Sequence, residues 1–339
     1  MGTTILIFVF GAIFGLILQY AKLNRYNTIS GQAILKNNTV VKAILVTIGV
    51  GAILFSITTG LGLSNFHIKP FVVGGIILGG LIFGAGMAIL GYCPGTLAVS
   101  LGEGSMDALV GIVGGLTGGI VFTLLLPSIK TILGPNLGKL SLYSITGNFS
   151  FIYYVMVIVI GMLIIYAAFY IHIKEKAVDK KWIAAGVALA VLDVIVFLTA
   201  TTNRPIGAST SYPWLADSIS GLTNNGYFQK ISTPGSWEAI FLLGAMVAAL
   251  TGSLVKGDFK ITMVHENWKK YRNNSASSRA VWAFVGGFIL IFGARMAGGC
   301  TSGHIISGGM QLAFSSFTFA IFVFIGLIAT GKAFYNTKK

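Results

Sequence analysis

The chain has 339 residues, of which 55% are hydrophobic and 9% are charged, and its mean hydropathy is +0.85. A soluble globular protein carries roughly 25% charged residues, so this composition excludes that class and predicts a polytopic membrane protein. The net charge of +14 is consistent with attraction to anionic lipid, and no nucleic-acid partner is needed to explain it.

Apolar windows of roughly 18 to 22 residues are long enough to cross about 30 Å of hydrocarbon as helices. The 45 glycines fall largely inside such windows, where small residues let helices pack closely. We therefore predict an all-α membrane fold of about nine transmembrane helices plus short re-entrant helices. The nine windows lie at 4–22, 41–62, 71–90, 108–126, 151–171, 182–200, 237–255, 280–297 and 313–331.

Lysine and arginine are distributed unequally between the two sets of loops. The odd-numbered connections and the C-terminus hold 17 of the 23 basic residues. Loops rich in these residues stay in the cytoplasm, so the count predicts an external N-terminus and a cytoplasmic C-terminus. The same rule places the 256–279 loop inside and the 201–236 loop outside, where the latter is long enough to fold over an outer mouth.

Two glycine-rich polar runs interrupt the apolar pattern, and they hold both cysteines of the chain. The first is 91–96 (GYCPGT), with Cys93, and the second is 298–304 (GGCTSGH), with Cys300. In lipid, backbone that leaves a helix must be buried in protein or line a polar cavity, because each unpaired group costs several kcal/mol. Both runs therefore predict a site.

The two runs belong to an internal repeat. A shift of 207 positions places Gly91 on Gly298 and Cys93 on Cys300, and a shift of 179 positions places 24–25 on 203–204. One helix between two four-span halves inverts the second half relative to the first, which is a transporter architecture. We predict a first repeat at 1–140, a linker helix and loop at 141–180, and an inverted repeat at 181–339.

The residue types in the two runs suit a sulfur oxyanion. Glycine turns that lead into helices present backbone N–H groups and a positive dipole end, hydroxyls add donors, and a protonated thiol is a weak, polarizable donor. The alternative is that both cysteines are small buried hydrophobes. The candidate residues are Gly91, Cys93, Gly95, Thr96, Gly299, Cys300, Thr301, Ser302 and Gly303.

Several charged or polar residues beside the runs allow two interpretations each. Arg295 either attracts the anion or bonds to helix-end carbonyls, and His304 is either a structural partner or a proton carrier. Asp193, inside the sixth window, either couples protons or forms a salt bridge. Glu103 and Asp107 are interpreted as helix caps, although Glu103 alternatively controls the exit of the anion.

Two polar pairs are candidates for the ends of a path. Asn24 and Arg25 follow the first window, and Asn203 and Arg204 follow the sixth. They form the inner and outer mouths or, alternatively, anchor lipid headgroups.

The segment from Gly293 to His304 (GARMAGGCTSGH), together with GYCPGT upstream, resembles the YeeE/YedE family of sulfur-compound transporters. The resemblance covers the whole chain, and the best-understood members of that family import thiosulfate. It implies uptake of thiosulfate or a related sulfur anion across a bacterial inner membrane. It also implies that Cys93 and Cys300 act as relay cysteines, which pass the anion along an hourglass-shaped path through S–H···S contacts.

One departure from the family pattern concerns the inner end of this path. Members of the thiosulfate type carry a third cysteine after the first span, in an Arg-x-x-Phe-Cys-like run. This chain has Arg25, Tyr26, Asn27 and Thr28 there. The resemblance then implies that Asn27, Thr28 or the thiol of a cytoplasmic sulfur carrier, TusA-like or of the rhodanese kind, completes the path.

Missing motifs narrow the functional class. The sequence has no nucleotide-binding Gly-x-x-x-x-Gly-Lys-[Ser/Thr] loop, no Cys-x-x-Cys and no convincing metal-ligand set, so we expect a transporter without cofactor or metal rather than an enzyme. The alternatives are a membrane thiol-disulfide protein with Cys93 and Cys300 as a redox pair, a structural or lipid-handling protein, and a transporter of another sulfur or selenium species.

Overall fold

The computed structural model describes residues 2–146 and 150–335 and is almost entirely helical. Within these residues it contains isolated β-bridges but no strand. A π-helical turn, Thr301–Ile306, separates α13 from α14. The α-helices are α1 (Gly2–Tyr20), α2 (Tyr26–Ala33), α3 (Thr39–Gly60), α4 (Val73–Leu90), α5 (Pro94–Gly102), α6 (Met106–Ile129), α7 (Leu142–Thr146), α8 (Phe151–Glu175), α9 (Lys181–Phe197), α10 (Ser211–Ser220), α11 (Gly226–Val255), α12 (Glu266–Tyr271), α13 (Ala276–Met296), α14 (Ser307–Met310) and α15 (Phe314–Phe334).

Eight segments of the described chain are long and apolar enough to cross a membrane. The predicted all-α polytopic membrane fold is therefore confirmed. The ninth predicted span, at 182–200, corresponds to α9, whose 17 residues lie at the lower limit of about 17 residues for a crossing helix.

Glycine contacts between helices give their relative directions. A Cβ at Gly79 of α4 would lie 2.8 Å from the carbonyl oxygen of Gly293 of α13, and one at Gly86 would lie 3.0 Å from that of Gly286. Because one number rises as the other falls, α4 and α13 are antiparallel. In contrast, Gly11 and Gly15 of α1 abut residues 241 and 245 of α11, so these two helices are parallel.

These directions show how α9 must be counted. Successive spans alternate in direction, so parallel helices are both odd-numbered or both even-numbered crossings, and antiparallel helices are not. Helix α1 is the first crossing and α4 the third. Helix α11 is odd-numbered and α13 even-numbered only if α9 also crosses, so the described helices fit nine crossings.

The main helix contacts occur in matching pairs. Helix α1 packs on α11 as α9 packs on α3, and α4 packs on α15 as α13 packs on α6, with α4 against α13 at the centre. Helix α8 packs mainly on α3 and is the least buried of the crossing helices. Its exposed apolar side chains make it the most lipid-facing element.

The predicted outer loop at 201–236 is not an open loop. It contains α10, and α11 begins at Gly226 and continues through Pro234. The sequence did not predict these helices, because their polar and aromatic composition is not that of an apolar span. They are nevertheless packed against the rest of the protein. Residues 211, 212, 213, 216 and 217 of α10 are buried.

A buried ion pair connects the end of α4 to α6 and α13. Arg279 Nε and Nη2 donate to Asp107 Oδ2 at 2.9 and 2.7 Å, and the same guanidinium donates to the carbonyls of Ile89 and Leu90. Both charged side chains are fully buried. The prediction that Asp107 acts as a helix cap is therefore replaced by this pairing, which fixes the backbone directly before Gly91.

Removing one member of this pair is expected to destabilise the protein. Arg279→Leu removes the buried arginine partner of Asp107 and leaves that carboxylate with only His265 and the Tyr92 hydroxyl, which costs about 3–5 kcal/mol. The unfolding temperature of the purified protein in detergent measures the loss. The Asp107→Leu/Arg279→Leu double variant should recover much of it.

Lys269→Leu is the control, because its 3.8 Å pair with Glu266 is solvent-exposed and worth at most about 1 kcal/mol. Equal unfolding temperatures for Arg279→Leu and this control would contradict the assigned role.

Candidate functional site

The two polar runs share one backbone geometry. Gly91 ends α4 with φ 77°, and Gly298 follows α13 with φ 74°. Positive φ values are strained for residues with a Cβ, and a Cβ at Gly91 would also meet the Tyr26 ring. Each glycine thus lets the backbone leave the helix two residues before a cysteine.

Cys93 caps the N-terminus of α5. Its thiol accepts from the backbone N–H of Thr96, and the Thr96 hydroxyl accepts from the Cys93 N–H at 2.8 Å. Tyr212 of α10 holds this turn by donating to the carbonyl of Pro94 at 3.0 Å. The thiol therefore lies at the positive end of a nine-residue helix.

Cys300 occupies the corresponding place before the π-helical turn. Its carbonyl accepts from the His304 N–H at 2.7 Å, and its Sγ lies 3.3 Å from Ser302 Oγ. The buried Thr301 hydroxyl has no partner within the described residues. Single π-turns occur frequently at functional sites.

One central cavity of about 60 Å³ adjoins both runs. Cys93, Gly95 and Thr96 line it from one run, and Thr301 and Ser302 from the other. Apolar side chains of α1, α2, α3, α4, α9 and α15 form most of the remaining wall. Cys300 is buried directly beside this wall, and both cysteines are free thiols.

Lys69, Arg204, Arg295 and Glu238 form an outer cation cluster beside Cys300. The Lys69 ammonium donates to the Gly298 carbonyl at 2.7 Å and would contact a Cβ at Gly299. Arg295 Nη1 donates to the Thr210 hydroxyl at 3.1 Å, and Glu238 accepts from the Thr210 N–H at 2.6 Å. Three cations therefore lie beside Glu238 and, near Arg295, Asp217, so cations outnumber carboxylates and the cluster attracts anions.

The pKa values of the two loop cations in the cluster, Lys69 and Arg204, are both shifted downward. Burial lowers the pKa of Lys69, Cys300 and Glu238 oppose the shift, and Arg295 and Arg204 add to it. Burial also lowers the pKa of Arg204, with Glu238 in opposition. The Arg204 guanidinium lies 4.8 Å over the Trp237 ring, and its buried Nε has no partner within the described residues. An anion would relieve the mutual repulsion of these cations.

His304 and Asp193 both hydrogen-bond to groups of the surrounding fold. His304 Nδ1 lies 3.0 Å from Ser316 Oγ and Nε2 lies 3.1 Å from the Ala297 carbonyl. Asp193 accepts from the Ser307 hydroxyl at 2.7 Å and from the Ile206 N–H at 3.3 Å. Their bonds to the Ala297 carbonyl and the Ser307 hydroxyl hold the chain on either side of the Cys300 run.

An inner pocket of about 220 Å³ lies at the opposite predicted face and is lined by Arg25, Asn27 and Glu103, among others. Glu103 accepts from Asn24 Nδ2 at 2.9 Å and pairs with Arg25 at 3.8 Å. Asn24 is fully buried against the end of α5. This places the predicted inner-mouth pair beside the C-terminus of the helix that Cys93 caps.

The remaining mouth candidates lie elsewhere. The Thr28 hydroxyl donates to the Lys22 carbonyl at 3.0 Å and contributes to neither pocket. Asn203 lies among outer-loop residues, where its side chain accepts from Asn65 at 3.2 Å.

The sequence interpretation missed Lys69, Glu238 and Tyr212 as parts of the site. Lys69 counts as an ordinary loop residue in the sequence, and Glu238 lies in an apolar window. Only the fold brings them to the Cys300 and Cys93 runs. A signal for Glu238 was present, because a carboxylate inside a span is costly and indicates a partner.

The fold and the site together define a class, a multi-pass membrane transporter that carries a small anion. The sulphur transport family matches residues 25–329, so the chain belongs to this family, known as YeeE/YedE. The chain is 28% identical to the thiosulfate transporter TsuA of Spirochaeta thermophila over 329 residues. The aligned region covers 93% of this chain and 94% of that relative. The protein is therefore a transporter of a sulfur anion and not an enzyme, and the family resemblance of its sequence is confirmed.

Proposed function

We propose that the protein takes up thiosulfate through a central path that runs from the outer cation cluster past Cys300 and the central cavity to Cys93 and the inner pocket. The observation that carries the proposal is the single cavity lined by both cysteine-bearing runs. The thiosulfate transporter of Spirochaeta thermophila, to which the chain is similar over most of its length, supports the choice of ion.

The two broken helices reduce the main energetic cost of such a path, which is the removal of water from the anion. Transfer of a divalent oxyanion out of water costs several kcal/mol of solvation free energy unless hydrogen-bond donors replace its hydration shell. Backbone N–H groups and the dipole at the N-terminus of α5 supply part of this replacement, and the unpaired hydroxyl of Thr301 adds to it. Weak successive sites favour passage over storage.

Sulfur explains why cysteine rather than serine stands at both positions. A thiol is a weak donor that contacts the terminal sulfur of thiosulfate without holding it tightly. It must stay protonated, because a thiolate repels the anion. The contacts are non-covalent, so no bond or electron is exchanged.

The proposed organisation is an inverted repeat with divisions at 1–140, 141–180 and 181–339. The antiparallel α4–α13 contact and the matching helix pairs support it. In this arrangement Cys93 and Cys300 approach the cavity from opposite faces of the membrane.

Serine at either cysteine position is expected to abolish transport. Serine caps a helix at least as well as cysteine, so Cys93→Ser and Cys300→Ser remove sulfur contact without loss of the local fold. Cells that depend on each variant should fail to grow on thiosulfate as sole sulfur source while the protein level stays normal. Growth on cysteine is the control, and full thiosulfate uptake by both variants would refute the relay.

Lys69 is expected to govern capture of the anion rather than its later movement. Lys69→Met removes the charge nearest the Cys300 turn, and loss of a charged hydrogen bond of about 1.5–3 kcal/mol should raise the KM for thiosulfate roughly tenfold or more. Uptake into proteoliposomes measures the effect. Lys139→Met, at an exposed position of a loop on the same predicted side, is the control, and equal KM values for both variants would contradict the role of Lys69.

We propose an external N-terminus and a cytoplasmic C-terminus in the inner membrane of a bacterium, on the evidence of the basic loops. Single cysteines at the exposed positions Lys270 and Asn224 test this orientation. A membrane-impermeant maleimide applied to intact cells should label Asn224→Cys but not Lys270→Cys, with the unsubstituted protein as background. External labelling of Lys270→Cys but not of Asn224→Cys would contradict the proposed orientation and indicate the opposite one.

The orientation places the inner pocket on the cytoplasmic side. We propose that a sulfur carrier, TusA-like or of the rhodanese kind, receives the anion there beside Arg25 and Asn27. The pocket presents the half-exposed Arg25 and Lys260 together with Glu103 and Asp258, so such a partner would meet charges of both signs.

A further inference from the structure

Gln32 is a buried amide without a hydrogen-bond partner. It lies near the C-terminal end of α2, is 2% exposed and lines the central cavity. Its side chain makes no hydrogen bond to any group within residues 2–146 and 150–335, and its buried Oε1 is one of the unpaired polar atoms there. Oε1 can only accept and would not bind an anion, but the Nε2 donors also make no hydrogen bond within the described residues, so they are open to a ligand in the cavity.

The other polar groups of the cavity wall are mostly engaged. The Thr96 hydroxyl bonds to the backbone of Cys93, and the Ser302 hydroxyl pairs with the Cys300 thiol. Thr301 is the exception, because its buried hydroxyl also has no partner within the described residues. Thr301 and Gln32 are therefore the two cavity groups whose hydrogen-bonding capacity is open to a ligand.

The surroundings of Gln32 favour an anion over a structural partner. Ile29, one turn earlier on the same face of α2, and Ile44 of α3 make the adjacent wall apolar. In such a wall an amide N–H₂ group supplies two donors and no charge, so it stabilises an oxyanion without holding it as an ammonium would. No acidic side chain lines this cavity within the described residues.

We propose that Gln32 is a further substrate-binding residue, whose amide donates to the oxygens of a sulfur oxyanion while the anion occupies the central cavity between the two cysteine turns. The inference rests on the proposed transport of thiosulfate and adds a binding position on α2. With Thr301 it gives the cavity oxygen-directed donors, while Cys93 supplies the sulfur-directed one.

Two substitutions separate the amide's donors from its volume. Gln32→Met keeps an unbranched side chain of similar length and removes the donors. Gln32→Glu keeps the shape and introduces a carboxylate that repels the anion. Gln19→Met is the matched control, because Gln19 is also a buried glutamine but bonds to the Ala249 carbonyl and lies outside the cavity wall.

Binding and uptake of thiosulfate by the purified full-length protein test the proposal. We expect Gln32→Met to raise the Kd and the KM roughly tenfold and Gln32→Glu to raise them more, while Gln19→Met stays within about twofold of the original protein. Unfolding temperatures show that each variant is folded.

The outcomes distinguish this inference from the proposed function. If Cys93→Ser abolishes uptake while Gln32→Met binds and transports normally, thiosulfate transport stands and Gln32 contacts only water. If the unsubstituted protein transports no thiosulfate but Gln32→Met weakens binding of another oxyanion such as sulfite, the binding role of Gln32 stands and the proposed ion is wrong. If Gln32→Met leaves the binding of both anions unchanged, the inference fails.

Discussion

Two helices that break within candidate membrane spans impose the central constraint on this structure, because backbone groups freed in an apolar span have no water to bond with. The fold meets the constraint locally and at a distance. Locally, Gly91 and Gly298 turn the chain, and Cys93 with Thr96 closes the first turn of α5. At a distance, Arg279 binds the last carbonyls of α4. The antiparallel contact between α4 and α13 places the two breaks at opposite ends of this helix pair, with Ala297 beside Gly79 and Leu90 beside Gly286.

The buried charges divide into two groups with different consequences. Arg279 is paired with Asp107, whose carboxylate neutralises the charge of the guanidinium. This pair therefore contributes to the stability of the fold. In the outer cation cluster, the three cations Lys69, Arg204 and Arg295 outnumber the carboxylates of Glu238 and Asp217. Because cations without a full set of counter-charges are costly in a partly buried site, the proposed anionic substrate would stabilise this cluster beside Cys300.

The sequence predicted the elements whose signal is local. Apolar windows located the spans, and glycine-rich runs located both breaks and their cysteines, since helix length and backbone reversal depend on neighbouring residues. What it did not predict depends on contacts between distant segments. Arg279 counted as a loop residue although the fold buries it completely, and α10 was interpreted as an open loop. Gln32 looked unremarkable because only the packing of α2 against the central helices directs it into the cavity.

A structure of the full-length protein with bound thiosulfate tests the central claim most directly, namely that both broken helices serve one anion path. The account predicts density for the anion in the central cavity, with its terminal sulfur at contact distance from the Cys93 or Cys300 thiol and its oxygens facing Thr301. Density for thiosulfate only at a surface remote from both cysteines, in a protein shown to transport it, would contradict the account.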